Sequence, residues 1–285
     1  MTGASPRSPL FSIIVPTYDR ADLLTEALAS IQAQSVEDFE CIVVDDGSGT
    51  AGSVLPADAR FRCIALDENG GEARARNRGL DAAVGVWVCF LDDDDRYTAN
   101  RLQAVLDDTG TAQIKVCATA WLVPDPPVGA VRTLEGDVSA SILDSFTPQL
   151  GSVAVRRSDV LRFDERYPAS GDVEWWLRSA QTSSVSSSEV VGLLVRRHAR
   201  MRNGNGLEAR VTGDVLLFEH HGGYLDAHRR ARAFRYYRRG WMLSELGHRS
   251  LGFRFLARSF LTRPSARAAR AAAGVAVSGS PGRRP

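Results

Sequence analysis

The chain is poor in cysteine and has no long apolar run. Its four cysteines, Cys41, Cys63, Cys89 and Cys117, each lie inside an apolar, strand-like stretch with no histidine at ligand spacing. That pattern argues against a disulfide framework or a zinc site and for buried, reduced thiols. No stretch reaches the ~18 consecutive apolar residues of a membrane span. Met1 to Pro9 has no apolar signal core, so the expectation is a protein kept on the cytoplasmic side, with any membrane contact peripheral. No Gly-x-Gly-x-x-Gly follows a strand, which counts against a Rossmann oxidoreductase. No internal repeat occurs. Lysine is missing from residues 196–285, which hold 19 Arg and 5 acidic residues, against 16 basic and 29 acidic residues in 1–195. The net charge of +1 thus conceals an acidic body and a basic C-terminal region suited to an anionic surface.

What is present is a regular alternation of strands and helices. A chain of 285 residues with 44% hydrophobic and 24% charged residues can bury one large core and carry an appendage. Residues 1–9 are Pro/Ser-rich and read as disordered. Residues 10–15, 39–44, 61–66 and 86–91 read as buried strands. Helical spacing runs over 21–34 and 72–83, and Thr98 is the expected N-cap of a helix over 99–108. Such alternation predicts a parallel α/β sheet. The second half is less regular. Strands are expected over 113–123, 128–134, 151–155 and 190–195, and helices over 139–146 and from 172. From about residue 207 the pattern is helical and basic, over 207–221, 225–246 and 250–262, and 274–285 reads as a disordered tail.

The most unusual stretch is Val86-Trp87-Val88-Cys89-Phe90-Leu91 followed by Asp92-Asp93-Asp94-Asp95. A buried strand would deliver four carboxylates to its C-terminal end, where open α/β sheets place ligands. Adjacent carboxylates repel unless a cation sits among them. A hard divalent cation with oxygen ligands is the simplest candidate, and an inert, solvated acidic turn is the alternative. Asp45-Asp46-Gly47-Ser48 ends another strand and has turn-forming composition.

Four segments stand in a fixed order: Ser12-Ile13-Ile14-Val15-Pro16-Thr17-Tyr18-Asp19-Arg20, Val43-Val44-Asp45-Asp46-Gly47-Ser48, Asn69 through Arg76-Asn77-Arg78-Gly79, and Phe90-Leu91-Asp92-Asp93-Asp94-Asp95. Together they resemble the nucleotide-sugar half of family 2 glycosyltransferases with a GT-A fold, over roughly residues 10–200. A fifth, Gly171-Asp172-Val173-Glu174-Trp175-Trp176, resembles the family's acceptor-side helix. The resemblance implies a Rossmann-like, mostly parallel sheet with flanking helices. Its bounds would be 10–206, with a nucleotide-sugar half at 10–110 and an acceptor half at 111–206. A basic helical extension at 207–273 would follow.

The resemblance also implies site roles. Asp92 and Asp94 match the family's Asp-x-Asp. Asp94 would be the direct ligand of Mg²⁺ or Mn²⁺, while Asp92 or Asp93 would touch ribose or a metal-bound water. Pro16, Thr17 and Tyr18 would floor the nucleobase, and Asp46 would accept from a base N–H. The family's usual Asn is replaced by Asp19, a mild change. Arg76, rather than Arg74, would approach the phosphates, a role that suits a guanidinium; both could equally be solvated helix charges. Asp172 is the expected general base, with Glu174 as runner-up. It could equally serve as a structural N-cap. The family often has Glu-Asp where this chain has Gly171-Asp172. Trp175 and Trp176 divide between packing and a sugar-stacking face. His198 is a candidate third metal ligand or phosphate contact, or a solvent-facing residue of a basic loop with lid-like glycines.

The expected activity is therefore inverting transfer from a UDP-, GDP- or dTDP-linked sugar to a hydroxyl of a glycan, a lipid-linked saccharide or a natural product. No Gln-x-x-Arg-Trp segment of the processive type is present. A non-catalytic nucleotide-sugar-binding scaffold of the same fold is the rival reading, motivated by Gly171. A nucleotidyltransferase would want a Gly-rich basic loop after the first strand, which Pro16-Thr17-Tyr18-Asp19 does not supply. The arginines of the C-terminal region interleave with aromatics, including Phe234, Tyr236, Tyr237 and Trp241. They read either as a peripheral membrane surface or as a bundle packed on the body. Nucleic acid is not an expected partner, because no nucleic-acid motif accompanies the charge.

Overall fold

The computed structural model describes residues 8–122, 136–137, 147–196, 204–278 and 281. The chain divides into two compact units. The first comprises residues 1–142, 147–165 and 178–198, and the second 143–146, 166–177 and 199–285.

The first unit is built on β1, Phe11–Thr17, all of whose residues are buried. A strand apolar on both faces belongs in the middle of a covered sheet. β1 pairs in parallel with β2 (Phe39–Asp45) on one side and β4 (Trp87–Phe90) on the other, so that Ile13 stands opposite both Cys41 and Cys89. β3 (Phe61–Ala65) extends the parallel set beyond β2. Beyond β4 the sheet becomes mixed. β8 (Val153–Arg156) returns antiparallel to β4, and β6 (Ile114–Trp121) runs antiparallel to β8. β9 (Val185–Val195) is parallel to β6, while β5 (Arg96–Tyr97) and β7 (Gly136–Asp137) pair antiparallel to β9.

Helices α1 (Ala21–Gln32), α2 (Glu72–Ala82) and α3 (Arg101–Asp107) follow β1, β3 and β5. α1 buries Leu24, Ala27, Leu28 and Ile31, the stripe that a 3.6-residue period places on one face. The expected cap of α3 is corrected. Asn100 holds the cap position, because the Thr98 hydroxyl donates instead to the Val191 carbonyl of β9 at 2.8 Å. All four cysteines are free thiols, and Cys41, Cys89 and Cys117 are buried.

The second unit contains the start of α4 (Gly171–Thr182), then α5 (Gly204–Ala227), α6 (Arg229–Glu245), α7 (Arg249–Thr262) and α8 (Ala266–Ser278). A break is expected after residue 221, and α5 instead continues through a kink at His221 (φ −123°, ψ 23°) to Ala227. α8 carries helix to Ser278, into the range read as tail, and buries Ala268, Ala271 and Val275 in a cluster with Tyr237 and Leu256. No described helix is long and apolar enough to cross a membrane. The strand expected over 128–134 and the helix over 139–146 lie outside the described residues.

Candidate functional site

Because β1, β2 and β4 are parallel neighbours, their C-terminal ends lie side by side, and each ends in polar chemistry. At the end of β1, Thr17 is buried and Tyr18 is 49% exposed. Asp19 sits at φ 52°, a left-handed conformation that Asp and Asn tolerate best among side-chain-bearing residues. The exchange of the family's Asn for Asp therefore keeps the backbone path that turns the chain from β1 towards α1.

At the end of β2 the carboxylates hold the backbone. Asp45 accepts the Ser48 N–H (2.8 Å), the Ser48 hydroxyl (2.7 Å) and the Ala51 N–H (3.0 Å). Burial pushes its pKa up, but these donors outweigh burial and hold it below the usual carboxylate range. Asp46 donates its own N–H to the Thr17 carbonyl (2.9 Å), and its side chain accepts the N–H groups of Gly70 (2.9 Å) and Gly71 (2.7 Å). Gly47 (φ 86°) lets the turn approach residues 68–69, since a Cβ there would come within 2.6 Å of the Glu68 carbonyl carbon. Both oxygens of Asp46 thus have backbone partners, with lone pairs left over for a base N–H.

At the end of β4 the partners are guanidinium groups. Arg76, buried on α2, donates to Asp92 at 2.7 Å. Asp93 accepts from the Thr17 hydroxyl (2.8 Å) and from Arg20 (2.7 Å), and the same Arg20 nitrogen reaches Asp94 at 3.0 Å. Asp95 accepts the Arg196 N–H (2.9 Å), while the Arg196 side chain donates to the Asp94 carbonyl (3.0 Å) and pairs with Glu26. Burial raises the pKa of Asp93 against the opposing charge of Arg20. Burial, reinforced by Asp92, pushes Asp95 up to about 8. The Asp92 and Asp94 side chains are 39% and 17% exposed.

Thr17, Asp46, Asp93 and Asp94 are therefore linked by hydrogen bonds, Asp94 through Arg20, and Arg76 pairs with Asp92 at the same strand end. Arg74 belongs to neither set, since its bond goes to Glu68 at 3.2 Å, a side chain 77% exposed. Asn77, next to Arg76, clamps the backbone, donating to the Phe163 carbonyl (3.0 Å) and Glu165 (2.7 Å) and accepting the Phe163 N–H (2.9 Å). Arg20 and Arg196 carry no individual role in the sequence reading. The signal that could have found them is electrostatic: four adjacent carboxylates demand positive charge nearby.

The acceptor-side helix belongs to the second unit through Leu177. Asp172 is its second residue, half-buried, and follows Ser170 at φ 64°. Glu174 is buried and lies 3.2 Å from the His221 ring at the α5 kink, which makes it the less accessible carboxylate. Trp175 and Trp176 are both fully buried, with ring centroids 5.2 Å apart, so packing takes both and the sugar-stacking expectation is not met. On α6, buried Arg235 has a pKa lowered to about 10 by burial and Arg238, against the pull of Asp214 and Asp172. His198 lies outside the described residues.

Among the described residues no three His, Cys, Asp or Glu side chains gather as a ready metal cage. The donor set still fits a hard cation. Mg²⁺ is commonly held by one or two carboxylates with substrate phosphates completing the shell, and Asp92 and Asp94 supply partly exposed oxygen ligands of that kind.

This architecture, a β3-β2-β1-β4 parallel set extended by a mixed sheet with carboxylates at the ends of β2 and β4, is the GT-A fold. Residues 12–123 match the model of glycosyl transferase family 2, and they form a family 2 glycosyltransferase domain. The succinoglycan biosynthesis protein ExoO of Rhizobium meliloti is 40% identical over 118 residues, covering 40% of this chain. The chain spans only 34% of that relative's length. Among solved structures, S. aureus TarS 1–349 in complex with UDP-GlcNAc superposes with a TM-score of 0.64 at 19% identity, covering 89% of this chain and 81% of that one. The mannosyltransferase PcManGT of Pyrobaculum calidifontis, in complex with GDP-Man and Mn²⁺, gives 0.59 at 19% identity, covering 95% and 80%.

Proposed function

We propose that the chain is an inverting, non-processive glycosyltransferase that moves one sugar from a nucleoside diphosphate to an acceptor hydroxyl. The observation that carries this reading is the Asp92–Asp95 turn, whose three leading carboxylates are paired with two arginine side chains, Arg76 and Arg20. Such pairs can be exchanged for a diphosphate and its counter-cation. In this reading Pro16, Thr17 and Tyr18 floor the base, Asp46 reads a base N–H, and Asp93 keeps Thr17 in place. Arg76 turns from Asp92 towards the phosphates, a contact suited to its planar fork. Asp94, with Asp92, would hold Mg²⁺ or Mn²⁺, with His198 a candidate third ligand. The cation would supply charge stabilisation for the departing diphosphate.

Asp172 takes the acceptor hydroxyl's proton as its oxygen attacks the anomeric carbon from the face opposite the leaving group. Glu174, buried against His221, is the weaker candidate. Structures of relatives of this fold with UDP-GlcNAc and GDP-Man support a nucleotide-sugar donor. The biosynthetic role in the name of the ExoO relative supports a glycan as acceptor; a lipid-linked saccharide handled at the cytoplasmic face of the membrane is the form proposed for it.

The test is a panel of UDP-, GDP- and dTDP-sugars with Mn²⁺ or Mg²⁺, following nucleoside diphosphate release with and without saccharide acceptors. Metal-dependent release from one donor is expected. Donor binding with no hydrolysis and no transfer to any acceptor would favour the scaffold reading raised by Gly171.

A further inference from the structure

From Arg249 to Ser278 the chain has six arginines and no aspartate or glutamate. One face of α7 is committed to α6. A Cβ on Gly240 would meet the Gly252 carbonyl oxygen and the Leu256 nitrogen at 2.8 Å, so the two helices touch nearly backbone to backbone. Nearby, the Ser259 hydroxyl donates to the Ala233 carbonyl at 2.8 Å. Gly252, Leu256 and Ser259 are the buried residues of α7. Helical periodicity then fixes what lies on the opposite side. Leu251, Arg254, Arg258 and Leu261 stand at i, i+3, i+7 and i+10 along one outward stripe. All four are exposed, Leu261 by 76%, and Phe253 and Phe260 are exposed about a quarter turn round the helix from Leu261. No carboxylate among the described residues pairs with Arg254 or Arg258; the Arg258 guanidinium lies 5.6 Å from the Phe255 ring.

We propose that this outward face of α7 docks on an anionic lipid bilayer. Its chemistry fits that partner on two counts. Leucine and phenylalanine side chains gain by entering the acyl boundary, and arginines on the same stripe reach the phosphate plane along their apolar stems. Each surface arginine adds about 1 kcal/mol of attraction to an anionic leaflet. A stripe of leucines alone would suit any apolar partner, and arginines alone any polyanion; two arginines flanked by leucines, with no acid among them, select the charged interface. The proposal stands independently of the donor reading.

The test is co-sedimentation of the full chain with vesicles of phosphatidylcholine alone and of equimolar phosphatidylcholine and phosphatidylglycerol. Binding is expected to the mixed vesicles only, weakening steeply as salt is raised. The double variant Arg254→Gln/Arg258→Gln is expected to bind about thirtyfold more weakly, and Leu251→Ser/Leu261→Ser at least about tenfold more weakly. Thermal unfolding identical to the parent chain would show that both variants fold. Equal binding to the two vesicle types by the parent chain overturns the proposal. So does undiminished vesicle binding by the folded arginine variant, or RNA binding tighter than vesicle binding and lost in the same variants.

Discussion

The ends of β2 and β4 carry the same side chain in different settings. Asp45 and Asp46 are held mainly by backbone N–H groups, all from residues 48–71, and these fix the turn and the loop before α2. Asp92, Asp93 and Asp94 are held by Arg76 and Arg20, whose guanidiniums sit on flexible stems. A backbone donor cannot leave without unfolding its segment, whereas an arginine can swing to a new anion at the cost of a rotamer. The first pair fixes local backbone, and in the proposed function the second set exchanges its arginine partners for the donor. Acidic composition alone therefore does not distinguish a carboxylate that holds backbone from one that faces mobile side chains.

Changes on the β4 side and on the proposed base should affect chemistry most. Asp172→Asn should lower kcat by about 10²–10⁴-fold while donor affinity, measured by calorimetry, stays within twofold of the parent. Full activity would move the base to Glu174. Asp94→Ala should remove the metal dependence of donor binding, with affinity in Mn²⁺ falling to the metal-free value. Changes on the β2 side should instead appear in folding. Asp45→Asn places an amide NH₂ against a backbone N–H and should cost about 2–3 kcal/mol in denaturant unfolding.

The pH dependence should differ in sign between the two ends. The Asp45 pKa is lowered by folding, so its contribution is present above the unfolded carboxylate pKa and is lost as pH falls through its folded value. Asp95 is raised to about 8, so the folded chain binds this proton more tightly than the unfolded one. Its contribution is full below the unfolded pKa and fades as pH rises towards 8. Asp95→Asn should flatten the decline of stability between the unfolded carboxylate pKa and about pH 8, and an unchanged profile would place the raised pKa elsewhere. The smallest effect belongs to Arg74→Ala, whose exposed pair with Glu68 should be worth under about 1 kcal/mol.

The parallel half of the sheet was legible because strands such as β1 are apolar on both faces, a pattern that few other elements share. The stripe of Leu24, Ala27, Leu28 and Ile31 made α1 legible for the same reason. The antiparallel return of β8 beside β4 was not, because Val153–Arg156 is four residues long and carries no pairing direction in its composition. Thr98 looked like a cap because its competitor, the Val191 carbonyl, is 93 residues away in sequence. In the site, resemblance to a known family marked Asp92, Asp94 and Arg76. It did not mark Arg20, which meets Asp93 across 73 residues and is visible only once β1 and β4 lie side by side. Long-range ion pairs follow from topology, and local sequence does not encode them.

In the proposed function the Asp92–Asp94 carboxylates, paired with arginine in this structure, receive a nucleotide sugar together with a divalent cation. Titration calorimetry of UDP- and GDP-sugars into the chain, with and without Mn²⁺, tests it directly when repeated on Asp94→Ala. One donor is expected to bind at least about tenfold more tightly with Mn²⁺, a gain of about 1.4 kcal/mol that Asp94→Ala abolishes. Equal affinity with and without metal, or a metal gain that survives in Asp94→Ala, would contradict it.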